Sequence, residues 1–165
     1  MFTAGILTIS DKGSRGDRQD KSGEAIREIL SNMDVHIVNH DIIPDEKELI
    51  VEKLIKWADE DSLDVVITTG GTGLTPRDVT PEATLAVVDR IVPGFAEAMR
   101  AESLKKTPHA ILSRAVVGTR GKCLIINLPG SPKAVRECLE VILPALPHAV
   151  ETLKGQAGEC GIAKA

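Results

Sequence analysis

Residues 65–82 of the chain read Val65-Val66-Ile67-Thr68-Thr69-Gly70-Gly71-Thr72-Gly73-Leu74-Thr75-Pro76-Arg77-Asp78-Val79-Thr80-Pro81-Glu82. The order of residue types here decides the fold. The opening run, 65–69, is apolar and β-branched without alternation, which reads as a strand buried on both faces. The glycines that follow read as a tight turn. Thr80-Pro81 reads as a helix start, with threonine at the N-cap and proline at the first helical position. A strand, a glycine turn and a helix N-terminus in succession present backbone N–H groups to an anion. The glycines alone would be no more than a turn that needs left-handed backbone. The loop is not a Walker A loop, because no Gly-Lys-Ser/Thr follows, and it is not GxGxxG, because Pro76 stands where the third glycine would. Arg77 and Asp78 add a cation and a carboxylate to the same loop, so the whole reads as a phosphate-binding segment.

Working outward, the chain alternates strands and helices. Strands are expected at 2–9, 35–43, 65–69, 111–117 and 123–128. Helices are expected at 22–30, 45–59, 80–88, 94–105 and 131–143, with a shorter one after Pro144 and Pro147. The stretch 12–19 is polar and reads as a loop. Such alternation predicts a three-layer α/β/α sandwich with a mostly parallel central sheet. The short link at Thr119-Arg120-Gly121-Lys122 predicts one antiparallel strand. A single domain over 1–154 and a flexible C-terminal tail over 155–165 complete the layout. Polar clusters follow the carboxyl ends of four strands: Ser10-Asp11, Pro44-Asp45, the segment 70–78 and the segment 127–133. Open α/β sheets bind ligands at that edge, so these clusters should meet at one crevice.

Composition narrows the function. Over 165 residues, acids exceed bases 24 to 20, for a net charge of −4, which argues against an electrostatic nucleic-acid binder. Phe2, Trp57 and Phe95 are the only aromatics, too few for a base-stacking surface. Cys123, Cys138 and Cys160 form no CxxC or zinc pattern, and the first two look like reduced core residues. No segment resembles a signal peptide or a membrane span, so a cytoplasmic protein is the expectation. His36, His40, His109 and His148 fit no zinc motif, and no GxSxG elbow exists.

Several candidates have two readings from the residues alone. Asp45 precedes a helix with Glu48 at capping-box spacing, and from the residues alone a cap explains it. Asp78 reads as a functional carboxylate or as the partner of its neighbour Arg77. Asp11 and Asp20 flank a polar loop and read as solvated charges. Ser131-Pro132, after Asn127-Leu128-Pro129-Gly130, repeats the capped helix start, and Lys133 adds a positive charge there. Arg114, Arg120 and Lys122 read as a charged hairpin edge or as contacts to an anion.

The segment TTGGTGLTPRDVTPEAT (68–84), with PGFAEAMR (93–100), LSRAVVG (112–118), INLPGSPKAV (126–135) and the opening ILTISDKGSRGDRQDKSG, resembles the molybdenum cofactor biosynthesis family, in particular its molybdopterin adenylyltransferases and the equivalent G domains of plant and animal fusion proteins. The likeness runs from about Phe2 to Leu153. It implies a cytoplasmic homotrimer that transfers AMP from ATP to the terminal phosphate of molybdopterin and releases pyrophosphate, with Mg²⁺. Transient contact with a molybdenum-inserting protein is also implied. The family's catalytic and Mg²⁺-binding aspartates fall on Asp45 and Asp78. Nucleotide and substrate contacts are expected at Ser10, Asp11 and Asp20; at Gly70, Gly71, Thr72, Gly73, Arg77 and Thr80; and at Asn127, Pro129, Gly130, Ser131 and Lys133. Arg77 and the N–H groups of the glycine loop are expected to face the leaving pyrophosphate. A non-catalytic molybdopterin carrier and a nucleotide pyrophosphatase remain the alternatives to a transferase.

Overall fold

The computed structural model describes residues 1–156. Its strands are β1 (Phe2–Ile9), β2 (Val35–Ile43), β3 (Val65–Thr69), β4 (Arg90–Ile91), β5 (Val117–Arg120) and β6 (Cys123–Leu128). Together they form one six-stranded sheet in the order β2-β1-β3-β6-β5-β4. Strand β1 pairs parallel with β2 and β3, and β3 pairs parallel with β6. Strand β5 runs antiparallel to both β6 and β4. The expected fold class holds: a mixed, mostly parallel sheet with helices on both sides and a single reversed strand.

The helices are α1 (Asp11–Ser14), α2 (Lys21–Leu30), α3 (Lys47–Ile55), α4 (Thr80–Val87), α5 (Pro93–Leu104), α6 (Pro132–Ile142) and α7 (Leu146–Leu153). Alternation along the strands sends side chains to two separate cores. Ala4, Ile6, Val65, Ile67, Leu124 and Ile126 face α2, α5, α6 and α7. Leu7, Ile9, Val66 and Ile125 face α3, α4 and Trp57. This double burial is why residues 65–69 carry no polar alternation. In β2 the register slips by one residue, so that Ala4 opposes Ile37 while Gly5 opposes Asn39. That bulge puts Ile37 and His40, an odd number apart, on the same face of the sheet.

Four expectations need correction. A strand over 111–117 is not present: Pro108–Leu112 is a 3₁₀ turn, and the strand begins at Val117. Ile111 and Leu112 are 69% and 48% exposed, so their hydrophobicity marks surface rather than a buried strand. The loop 12–19 starts as the one-turn helix α1, capped by the Ser10 hydroxyl, which accepts from Gly13 N at 3.0 Å. The helix expected over 45–59 begins at Lys47 and ends in a π turn over Lys56–Glu60. The turn over 119–122 shrinks to Gly121-Lys122, because β5 continues through Arg120. The two-residue strand β4 was too short to leave a pattern. Cys123 and Cys138 are free and buried, as expected. From residue 157 on, the expected tail and Cys160 lie outside the described residues.

Candidate active site

The parallel strands β1, β2, β3 and β6 end side by side, and the loops after them are stitched together by hydrogen bonds. After β3, Gly70 (φ +99°) and Gly71 (φ +65°) take left-handed backbone. A side chain on Gly70 would put its Cβ 2.3 Å from the Ile9 carbonyl oxygen, and one on Gly71 would lie 2.3 Å from Thr80 Oγ1. The loop therefore presses against β1 and α4 with no room for a Cβ. Gly70 N donates to Leu128 O at 3.2 Å, and the Thr69 hydroxyl donates to Pro129 O at 2.7 Å. Ser22, on α2, donates to Gly130 O at 2.8 Å. Three chain segments are thus locked at one edge.

Two adjoining cavities open there, of about 440 and 330 Å³, sharing Gly71, Asp78 and Gly130 as their common wall. The larger runs between α5 and α6 over Ala96, Met99 and Cys138, with Arg100 as its cation. Among the described residues the Arg100 guanidinium has no carboxylate partner; it donates to Ala115 O at 3.1 Å. The smaller cavity is polar and contains Asp20, Asp45 and Asp78, with Arg18 and Lys21 at its edge. Arg18 and Lys21 are exposed, and neither is held in an ion pair among the described residues. A mostly apolar compartment beside an acidic one, with cations at the margin, suits a heterocycle joined to phosphates.

Asp45 and Asp78 both line the polar cavity, as the convergence argument requires. Asp45 is not a helix cap: α3 is preceded by Glu46, whose side chain makes no capping bond. Asp45 Oδ2 instead accepts from Asp11 N at 2.8 Å, and Asp11 Oδ1 accepts from Asp45 N at 3.1 Å. Asp45 Oδ1 would sit 3.2 Å from a Cβ on Gly71, on the side of the glycine loop. Burial raises the Asp45 carboxyl above its ordinary value, and the nearby Asp11 and Asp78 charges raise it further. Asp78 Oδ2 accepts from Thr75 N at 2.9 Å. It is not paired with Arg77.

Arg77 reaches across to Asp11 instead, with Nε to Oδ2 at 3.0 Å and Nη2 to Oδ1 at 2.8 Å. Glu46 lies 3.7 Å from the same guanidinium. This pairing holds the Asp11 carboxyl below its ordinary value. Asp20 is not a solvated charge either, since its side chain is only 8% exposed. It accepts from Thr8 Oγ1 at 2.7 Å and Gly23 N at 2.8 Å, and it meets His40 Nε2 at 2.9 Å.

Other expected contacts act from underneath. Thr80 is buried and is not the N-cap of α4, whose first residue it is. Its hydroxyl donates to Gly70 O at 2.9 Å and its N–H to Gly71 O at 3.1 Å, so it fastens the glycine loop. Asn127 is also buried; its amide donates to Thr68 and Thr84 at 3.0 and 2.9 Å and accepts from Val116 N at 3.2 Å. Ser131 does cap its helix, accepting from Ala134 N at 3.2 Å. Ser10, Thr72, Gly73, Pro129, Gly130 and Ser131 line the cavities, whereas exposed Lys133 lines neither.

Sequence reasoning missed the role of Arg114. Its Nε donates to Gly73 O and its Nη2 to Asp78 O, both at 2.7 Å, while Nη1 pairs with Glu82. It belongs to the loop rather than to the hairpin. Arg18, Lys21, Met99 and Arg100 were also missed. Only a pairing of PGFAEAMR with the glycine loop could have flagged Arg100, because the two segments are distant in sequence.

No described group of three or more His, Cys, Asp or Glu side chains could hold a metal by itself. The pair Asp45 and Asp78 still fits Mg²⁺, which commonly takes one or two carboxylates and completes its shell with water and phosphate oxygens.

Residues 5–148 match the family described as "Probable molybdopterin binding domain". The chain is 50% identical over 153 residues to the molybdopterin adenylyltransferase of Helicobacter pylori strain J99, covering 92% of this chain and 87% of that protein. It is 43% identical to the molybdopterin adenylyltransferase of Escherichia coli K12, covering 92% and 85%. Among solved structures, the molybdopterin biosynthesis enzyme MoaB of Thermus thermophilus superposes with a TM-score of 0.90 at 53% identity, over 96% of this chain and 100% of that one.

Proposed function

The chain belongs to the family of probable molybdopterin binding domains, and from that premise we propose that it is a molybdopterin adenylyltransferase of molybdenum cofactor biosynthesis. The observation that carries this reading is the acidic cavity holding Asp45 and Asp78 against the glycine loop, beside a second, mostly apolar cavity that shares its wall. Relatives at 50% and 43% identity bearing that name support it.

The substrates are ATP and molybdopterin. A terminal phosphate oxygen of molybdopterin attacks the α-phosphorus of ATP. The bond from that phosphorus to the α–β bridging oxygen breaks, and pyrophosphate leaves with the electron pair. The nucleophile is already an anion at neutral pH, so no strong general base is needed. The barrier lies in bringing two polyanions together, and positioning with charge neutralisation lowers it. Asp45 and Asp78 would hold Mg²⁺, which when bound would supply positive charge to the phosphates. The N–H groups of Gly71, Thr72 and Gly73 face the phosphates from the loop, and Arg18 and Lys21 supply cations at the cavity edge.

The test is direct. Protein, ATP, Mg²⁺ and molybdopterin are mixed and pyrophosphate is measured. Release that requires the pterin identifies the transferase; pterin binding without release identifies a carrier, and release without the pterin a pyrophosphatase. Asp78→Asn is expected to abolish nearly all turnover while molybdopterin, followed by equilibrium binding, still binds. Wild-type turnover in that variant removes Asp78 from the mechanism.

The remaining expectations of the family likeness are proposals too. A homotrimer would bury apolar surface such as Ile111 and Ile91, 69% and 56% exposed here, and sedimentation tests it. Cytoplasmic location, and handover of the adenylylated product to a molybdenum-inserting protein, follow from the same proposal. Among the described residues no helix is long and apolar enough to cross a membrane.

A further inference from the structure

We propose that Arg77 and Asp11 form a positioning pair for Asp45, and that Arg77 acts through Asp11 rather than on the phosphates. The inference rests on the function proposed above, since it assigns a role toward one of that site's two aspartates.

Three observations lead to it. First, the Arg77 guanidinium is already engaged. Its Nε and Nη2 form a forked pair with the Asp11 carboxylate at 3.0 and 2.8 Å, and Glu46 stands 3.7 Å away. A forked arginine–carboxylate pair is among the stronger polar contacts, so the Nε and Nη2 edge of Arg77 is closed to a phosphate while Asp11 holds it. Second, Arg77 lines neither cavity, although the next residue, Asp78, lines both. Third, Asp11 and Asp45 exchange backbone-to-carboxylate bonds: Asp11 N donates to Asp45 Oδ2 at 2.8 Å, and Asp45 N donates to Asp11 Oδ1 at 3.1 Å.

The exchange orients Asp45. Its Oδ2 is held by the Asp11 backbone. Its Oδ1 lies toward Gly71, and no described group donates to it. The loop after β1 thus leaves one oxygen of Asp45 available on the phosphate-loop side. The arrangement brings two carboxylates together, which repel unless one is neutralised. The Arg77 guanidinium supplies the neutralising charge, and its Nη2 shares the Asp11 Oδ1 that accepts from Asp45 N. Without it, Asp11 would turn toward water, Asp45 N would lose its acceptor, and the Asp45 side chain would lose its fixed setting. Arg77 is also tethered to Asp78 through one peptide bond. The same contact therefore ties the loops of the two site aspartates to each other.

The experiment is a double-mutant cycle on the full chain with Arg77→Gln, Asp11→Asn and both together, with kcat, KM for ATP, pyrophosphate inhibition and the backbone amide resonance of Asp45 as readouts. Positioning partners of ligand-bearing side chains change activity by about 10- to 100-fold when removed. Each single variant is expected to lose kcat within that range with KM for ATP and pyrophosphate inhibition unchanged. The double variant should be no worse than the worse single, because both changes break one unit. The Asp45 amide resonance should move in both singles. The proposal is overturned if Arg77→Gln raises KM for ATP, weakens pyrophosphate inhibition and multiplies with Asp11→Asn, which places Arg77 on the phosphates. It is equally overturned if the singles keep wild-type kcat, or if the Asp45 amide does not move. Should Arg77→Gln fail to fold, Arg77→Lys is measured the same way. Asp45→Asn separates the two levels. No pyrophosphate release by the wild type refutes the function proposed above, whereas full turnover in Asp45→Asn removes only Asp45 from the mechanism; in either case the amide resonance decides the pair by itself.

Discussion

Thr80 carries no charge and contacts no solvent, yet it holds the glycine loop in shape. Its hydroxyl donates to Gly70 O, and the left-handed Gly71 leaves the room that this contact occupies. Thr80→Val keeps the volume and removes the donor, so the buried Gly70 carbonyl is left without it. Such a loss costs about 1–3 kcal/mol, and thermal or urea unfolding is expected to show it. Because the loop carries the proposed phosphate contacts, KM for ATP should rise in the same variant, whereas a purely global defect would lower only the folded fraction. The Thr-Pro dipeptide announced a helix start from sequence, and α4 does start there. The hydroxyl's partner was not legible, because an N-cap and a bond to a loop ten residues upstream use the same residue type. Asp45 shows the reverse case. Its capping-box spacing with Glu48 was a local signal, and a partner in another loop, Asp11, took its side chain instead.

At the scale of elements, the contact between β1 and the end of α3 can be measured directly. Trp57 is buried in the π turn that closes this helix. It packs on β1 where Gly5 leaves a gap: a Cβ on Gly5 would stand 2.8 Å from Trp57 Cε3 and 2.8 Å from Leu63 Cδ1. Gly5→Ala is therefore expected to overpack this layer and cost about 1–3 kcal/mol. Trp57 is the sole tryptophan of the chain, so its fluorescence reports the local change while circular dichroism reports the whole fold. Strands β1, β3 and β6 were legible as apolar runs with turn residues at their ends, and β2, although it carries His36, Asn39, His40 and Asp41, through its β-branched residues. The stretch 111–117 misled because Ile111 and Leu112 are apolar and exposed. There Arg114 N bonds to Thr72 O, and Val116 N bonds to the Asn127 side chain. The backbone thus serves the glycine loop before it can enter the sheet.

At the scale of the whole molecule, the end of the sheet opposite the cavities is closed by Asp64. Its carboxylate accepts from Thr3 N at 2.8 Å and pairs with Lys154 at 2.8 Å, joining β1 and the entry to β3 to the end of α7. Burial pushes the Asp64 carboxyl up, but the Lys154 ammonium and the Thr3 donors outweigh it, leaving it below its ordinary value of 3.8. A carboxyl depressed on folding stabilises the native state above its unfolded pKa, and that contribution fades as pH falls through the folded value. Asp64→Asn is expected to lower the melting temperature at pH 7 and to differ less and less from wild type as pH falls through the depressed value, where the wild-type carboxyl becomes neutral too. Pyrophosphate release per folded molecule should be unchanged, because Asp64 sits at the far end from the cavities. The main alternation of strands and helices, the α/β class and the sheet edge where the polar clusters gather were legible from the sequence, because apolar periodicity and turn glycines act over a few residues at a time. Only the tertiary structure decided which charge meets which: Arg77 with Asp11 across 66 positions, Asp20 with His40, Arg114 with the loop carbonyls. Those choices depend on distances that exist only once the strand ends lie side by side.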